Sequence, residues 1–232
     1  MLIKIYRIKD WTHFLGLILL GYFLNKPFLF PHLLSKIIIS GLLLAFAFSW
    51  NEFFDRKLPK RKILLSIIPL FPIPFLMNFL NPKTKIFILL FFLIALLYSL
   101  PPVRLKSHPF IGTFCNAFGF SMLFLIGINN LENKLILPIY SGLLCLLFVA
   151  QLIHELAHLS QDKSEKILTT ALFLGEKKIK ILIISFLILA FISFCKFSFI
   201  IAGFLFLLTF HIAILLTKKE INYSSLRTLH CY

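Results

Sequence analysis

The stretch LILPIYSGLLCLLFVAQLIHELAHLSQD, Leu135 to Asp162, decides how the chain is read. From Leu135 to Ala150 it carries no charged side chain. At about 1.5 Å of rise per residue, a helix of this length crosses the roughly 30 Å hydrocarbon core of a bilayer. Its character then changes. Gln151, His154, Glu155, His158 and Asp162 follow in quick succession. At about 100° per residue they fall within about 100° of arc, a polar stripe on a helix otherwise made of Leu, Ile and Phe. The stretch predicts a membrane-spanning helix whose end is loaded with chemistry.

The rest of the chain agrees. Of 232 residues, 59% are apolar, 29 are Phe and only 14% are charged; the mean hydropathy is +0.95. A soluble domain carries about 25% charge, so that class is excluded. Apolar segments at 11–25, 34–54, 63–81, 84–100, 110–129, 135–159, 179–195 and 198–217 predict an all-α polytopic transmembrane helix bundle of eight spans. Residues 1–232 then make one integral-membrane domain. Pro69, Pro72 and Pro74 predict a break in the third span.

Charge placement orients the bundle. With the N-terminus inside, 18 Lys and Arg fall in inner segments against 6 in outer ones, Lys36 among the six. This asymmetry predicts that both termini are cytoplasmic. A net charge of +15 also raises nucleic acid as a partner. The charges sit in short loops rather than in a stripe interleaved with aromatics, so membrane lipids are the expected partner instead. Cys115, Cys145 and Cys195 lie in apolar segments and Cys231 is near the end, so no disulfide framework is indicated.

Carboxylates are scarce: three Asp and six Glu. Asn51, Glu52 and Asp55 end the second expected span, with Asn51 and Asp55 within about 40° on a helix. Glu155, His158 and Asp162 end the sixth. Both ends open to the cytoplasmic side of the expected topology. Ionisable groups at membrane depth are costly and usually face a cavity or a partner. Two such faces form an acidic cup for a hard cation such as Mg²⁺, which takes oxygen ligands and is commonly shared with substrate phosphates. Arg56, Arg104, Lys106 and Lys163 are the neighbouring candidates to hold phosphate oxygens. The plain alternative is a set of solvated helix ends.

The same residues carry a family resemblance. NEFFDRK (Asn51 to Lys57) resembles the first Asp-rich motif, Asn-Asp-x-x-Asp-x-x-x-Asp, of the UbiA superfamily of intramembrane prenyltransferases. YSLPPVRLK (Tyr98 to Lys106) is similar to the Tyr-Ser-x-Pro-Pro-x-Arg-Leu-Lys signature after the family's fourth helix. DKSEKILTTALFLG (Asp162 to Gly175) resembles its second Asp motif and the Thr-x-x-x-x-x-Gly that follows. The resemblance covers about residues 1 to 215. It implies Mg²⁺-dependent transfer of a prenyl group from a polyprenyl diphosphate to a lipid-soluble acceptor, with an aromatic quinone precursor favoured and a glycerol-phosphate lipid as the alternative. Asp55, Asp162 and Glu155 are then the catalytic candidates, within a metal set of Asn51, Glu52, Asp55, Glu155, His158 and Asp162. Tyr98 and Ser99 become cavity wall beside the diphosphate. Asn116 lines the acceptor pocket or packs between helices.

Departures from the family pattern are visible. Glu52 replaces an Asp, Pro59 replaces the last Asp of the first motif, and His158 stands where the second motif begins. Glu155, one turn earlier, is the expected substitute carboxylate. Eight spans stand where the family typically has nine. A catalytically degenerate member is therefore an alternative. A further alternative is read from His154-Glu155-Leu156-Ala157-His158, a literal HExxH. On a helix it places two His on one face to bind Zn²⁺, with the Glu as general base of an intramembrane protease. That reading leaves NEFFDRK and YSLPPVRLK without a role.

Overall fold

A computed structural model describes residues 5–24, 30–55, 63–164 and 167–198. All regular structure among them is helical. Helix α1 (Ile8–Trp11) continues through a 3₁₀ turn (Thr12–Phe14) into α2 (Leu15–Phe23). Then come α3 (Phe30–Asp55), α4 (Ile63–Ile67), a 3₁₀ turn (Ile68–Leu70), α5 (Ile73–Met77) and α6 (Pro82–Ser99). The rest are α7 (Ile111–Gly127), α8 (Ile136–Ala157), α9 (Leu159–Ser164), α10 (Thr170–Leu174) and α11 (Glu176–Cys195).

Helices α3, α6, α8 and α11 are each long and apolar enough to cross a membrane; Ile63–Met77 and α7 are shorter apolar segments. Pro residues explain the segment at 63–77. Pro69 lies in the 3₁₀ turn, and Pro72 and Pro74 sit at the start of α5. Each lacks an N–H, so a continuous helix gives way to short pieces. The α6 start is set locally: Pro82 occupies the first turn and the Asn81 side chain accepts a 2.8 Å bond from Thr84 N. The expected span at 11–25 begins with the 3₁₀ turn and yields a helix of only nine residues. The eighth expected span lies outside the described residues from residue 199 on, as does Arg56.

The chain forms two compact units that interleave in sequence. The first holds residues 1–105 and 119–131. Here α3 packs on α2, α6 and the broken 63–77 segment. Trp50 Nε1 donates to Leu96 O at 3.2 Å, tying α3 to α6. Gly21 of α2 and Gly127 of α7 meet reciprocally: a Cβ on Gly21 would overlap the Phe124 carbonyl, and one on Gly127 the Ile18 carbonyl. Two backbones in direct contact is the small-residue packing of membrane helices.

Lys36 corrects the charge count. It is not an outer-loop residue but a buried one, in the second turn of α3. Its ammonium donates to Gly127 O (2.9 Å), Ile128 O (3.0 Å) and Asn129 Oδ1 (2.8 Å), and lies 5.6 Å from the Tyr22 ring centroid. All three donors are used. The cation caps the carbonyl end of α7, where the helix dipole favours positive charge.

The second unit holds residues 106–118 and 132–232. Its core is α8 against α11. Val149, Leu152, Ile153 and Leu156 face Ile179, Ile183 and Leu187 at helical spacing. Gly142 leaves the hole that the Phe194 ring fills. This pairing fixes the end of α8, where the polar residues begin.

Replacing Lys36 by Met keeps the stem and removes the cap. Buried carbonyls left without a donor cost roughly 1–3 kcal/mol. Lys36→Met is expected to lower the unfolding midpoint in detergent, followed by tryptophan fluorescence, whereas Lys83→Met on the exposed start of α6 is not.

Candidate active site

In the first unit, the end of α3 meets the end of α6. Ser99 Oγ donates to Asn51 Oδ1 at 2.7 Å, and Arg104 Nη2 lies 3.3 Å from Asp55 Oδ1. The stretches NEFFDRK and YSLPPVRLK, nearly fifty residues apart, therefore touch at two points. The geometry has local causes. Helix α6 stops at Ser99, Leu100 turns extended, and the Pro101–Pro102 peptide is cis. Arg104 N then bonds back to Leu100 O at 2.8 Å. Arg104 holds φ 36, in the left-handed region that L side chains disfavour. Its Nε is buried and has no hydrogen-bond partner among the described residues. Arg104 meets Asp55 through Nη2, and a guanidinium carries further forked N–H donors suited to an anion.

Arg7 adds a group that sequence reasoning missed, because it was counted only as a topological charge. It also has positive φ, 50. Its Nε lies 2.6 Å from Asp10 Oδ2 and its Nη1 3.6 Å from Glu52 Oε2, with the guanidinium 5.5 Å from the Phe48 ring centroid. Tyr6 OH donates to Leu65 O and Trp11 Nε1 to Tyr6 O, which hold this N-terminal segment down. The side chains of Asp55 and Arg104 are 29% and 35% exposed. Such pairs are worth about 0–1 kcal/mol. They balance charge at Glu52 and Asp55.

In the second unit the polar stripe divides. Helix α8 ends at Ala157, and His158 caps it at φ −109, ψ 10. Asp162 and Lys163 lie on the separate helix α9, so the expected continuous stripe does not reach them. Asp162 N donates to His158 O (2.9 Å), and Ile167 N to Asp162 O (2.9 Å). His158 Nδ1 lies 3.1 Å from Gln161 Oε1. Lys163 is exposed, and Lys106, in the 3₁₀ turn Leu105–Ser107, is buried. Tyr98 is half-buried and Ser99 buried. The Asn116 amide donates to Gln151 Oε1, which favours the interhelical role over the pocket wall.

Glu155 departs from the expected metal-ligand set. It is 4% exposed, and protein donors hold both oxygens. Oε1 accepts from Thr113 Oγ1 (2.6 Å) and Gln151 Nε2 (3.1 Å), and Oε2 from Ala171 N (3.1 Å). The same geometry removes the metalloprotease reading. His154 and His158 rings do lie 4.6 Å apart, but Glu155 cannot act as general base from inside this network. Among the described residues no group of three or more His, Cys, Asp and Glu is placed to hold a metal.

In the first unit the amide of Asn51 and the carboxylates of Glu52 and Asp55 are hard oxygen donors. They fit Mg²⁺ better than a soft metal. Similarity supplies the family. A family model, described as the UbiA prenyltransferase family, matches residues 56–227, about three quarters of the chain. The chain belongs to the UbiA prenyltransferase family. The matched region contains Arg104, Lys106, His158, Asp162 and Lys163, and begins just after Asp55. No curated protein matches the sequence.

Solved structures share the UbiA fold. An Archaeoglobus fulgidus UbiA homologue bound to GPP and Mg²⁺ superposes with a TM-score of 0.82 at 16% identity, covering 99% of this chain and 96% of that one. The same homologue with DMAPP and Mg²⁺ gives 0.83 at 17% identity, with 99% and 96% covered. A digeranylgeranylglyceryl phosphate synthase structure gives 0.76 at 19% identity, with 99% and 91% covered. The chain is thus a UbiA-type enzyme and an integral membrane protein.

Arg104 tests the anion reading. Arg104→Ala is expected to raise the KM for prenyl diphosphate about tenfold or more, the scale of one charged hydrogen bond. Arg104→Lys keeps the charge but loses the forked donors, and should recover only part of that loss.

Proposed function

We propose that this UbiA prenyltransferase takes a polyprenyl diphosphate and Mg²⁺ and transfers the prenyl group to a lipid-soluble acceptor, with the site on the cytoplasmic side. The observation that carries this is the pair of contacts, Arg104 with Asp55 and Ser99 with Asn51, at which the two signature stretches meet. Asn51, Glu52 and Asp55, with Asp162 and His158, are the proposed metal-binding residues. Arg104, Lys106 and Lys163 bind the diphosphate, and Arg56, outside the described residues, is proposed with them. The Archaeoglobus homologue, with GPP or DMAPP and Mg²⁺ bound, supports the choice of ligands.

The chemistry is heterolysis of an allylic C–O bond. Bound Mg²⁺ supplies charge neutralisation on the diphosphate. Arg104 and Lys106 hold the leaving group by charge-assisted hydrogen bonds that strengthen as its charge grows. Ser99 fixes the Asn51 amide so that its nitrogen and oxygen do not exchange places. Apolar walls rich in Phe keep out the water that would quench the allylic cation. Aromatic ring faces in such a cavity stabilise the positive charge of the allylic cation. An aromatic quinone precursor is the favoured acceptor and a glycerol-phosphate lipid the alternative.

Asp55→Asn and Asp162→Asn remove charge with little change in shape. Each is expected to lower prenyl transfer by at least about 100-fold, the scale of a lost electrostatic contribution to the transition state. Both variants should still be recovered from the membrane fraction at wild-type level. Full activity in both would overturn the assignment.

A further inference from the structure

Glu155 is a buried carboxylate that the proposed metal set does not use. Its neighbours make a hydrogen-bond chain whose direction can be worked out. Phe110 N, a donor only, bonds Thr170 Oγ1 at 2.8 Å. The Thr170 and Thr113 hydroxyls are 2.5 Å apart, and Thr113 Oγ1 lies 2.6 Å from Glu155 Oε1. Thr113 Oγ1 donates its single hydroxyl hydrogen to Glu155 Oε1. Thr170 must then give its own to Thr113. The chain runs one way, from Phe110 N through Thr170 and Thr113 to Glu155, and each bond polarises the next. The second carboxylate oxygen takes the Ala171 amide.

The location gives the chain its consequence. Glu155 and Ala171 bracket the segment that carries His158, Asp162 and Lys163, so one bond between them closes that segment at its base. At its far end the chain grips Phe110, which sits four residues after Lys106 and holds φ 63, again in the left-handed region. The Phe110 ring also meets Phe173 of α10 edge-on at 5.6 Å. The second-motif segment and the approach to α7 are therefore anchored to the same carboxylate, within one unit.

We infer that Glu155 is a positioning residue: through Thr113, Thr170 and the Ala171 amide it sets the placement of Asp162, Lys163 and Lys106 for diphosphate binding. This rests on the transferase reading above. Unlike a ligand, it acts only as part of the chain, so breaking any link should have the same effect.

The test compares Glu155→Gln, Thr113→Val, their double variant, and Thr113→Ser in full-length protein. Thr113→Val is isosteric and leaves the carboxylate in place. Thr113→Val should reproduce Glu155→Gln, with the KM for prenyl diphosphate raised about tenfold and kcat changed less. The double variant should be no worse than either single one, because the links act as a unit. Thr113→Ser keeps the hydroxyl and should stay near wild type. Amide hydrogen exchange over residues 167–175 should quicken in the two singles, a readout that needs no turnover. A severe Glu155→Gln beside a wild-type Thr113→Val would overturn the inference and return Glu155 to the metal or substrate. So would unchanged exchange in both singles. If the wild-type protein transfers no prenyl group but exchange behaves as expected, the transferase reading fails while the anchor stands.

Discussion

A charge taken into an apolar interior must find its partners within the protein, because the surroundings offer none. Two side chains state this constraint in opposite signs. Lys36 satisfies three donors on the carbonyl end of α7, and Glu155 satisfies both oxygens on Thr113, Gln151 and the Ala171 amide. Loss of one member weakens either arrangement, because a buried polar group is left with fewer partners. Each unit of the fold holds one of them.

The groups near the first motif obey a different rule. Asp55 with Arg104 and Glu52 with Arg7 are partly exposed ion pairs. Ion pairs that reach the surface cost less to rearrange than buried ones. Backbone strain points the same way: among the described residues, the non-glycine residues with positive φ are Arg7, Arg104 and Phe110, beside Glu52, beside Asp55 and at the end of the Glu155 chain. Strain of this kind persists only where surrounding structure holds it in place.

Much of this was legible in the sequence. Apolar run lengths located α3, α6, α8 and α11, and the prolines located the break at 63–77. Helical periodicity placed Asn51 and Asp55 together, and the motifs identified the UbiA family. What escaped depended on partners distant in the chain. Nothing local shows that Glu155 will face Thr113, 42 residues earlier, or that Lys36 will reach Gly127, 91 residues on. Period counting also assumes an unbroken helix, so it carried the polar stripe past His158, where the backbone turns out of helical geometry. Arg7 looked like a topological charge because its value depends on the left-handed turn that aims it.

The central claim is that the chain moves a prenyl group from a diphosphate with help from Mg²⁺. The most direct test follows purified wild-type protein in nanodiscs with labelled geranylgeranyl diphosphate, with Mg²⁺ or with EDTA, across aromatic and glycerol-phosphate acceptors. The account predicts diphosphate release and a prenylated product that need Mg²⁺ and one class of acceptor. Failure to bind the diphosphate in Mg²⁺, or release unchanged by EDTA, would contradict it.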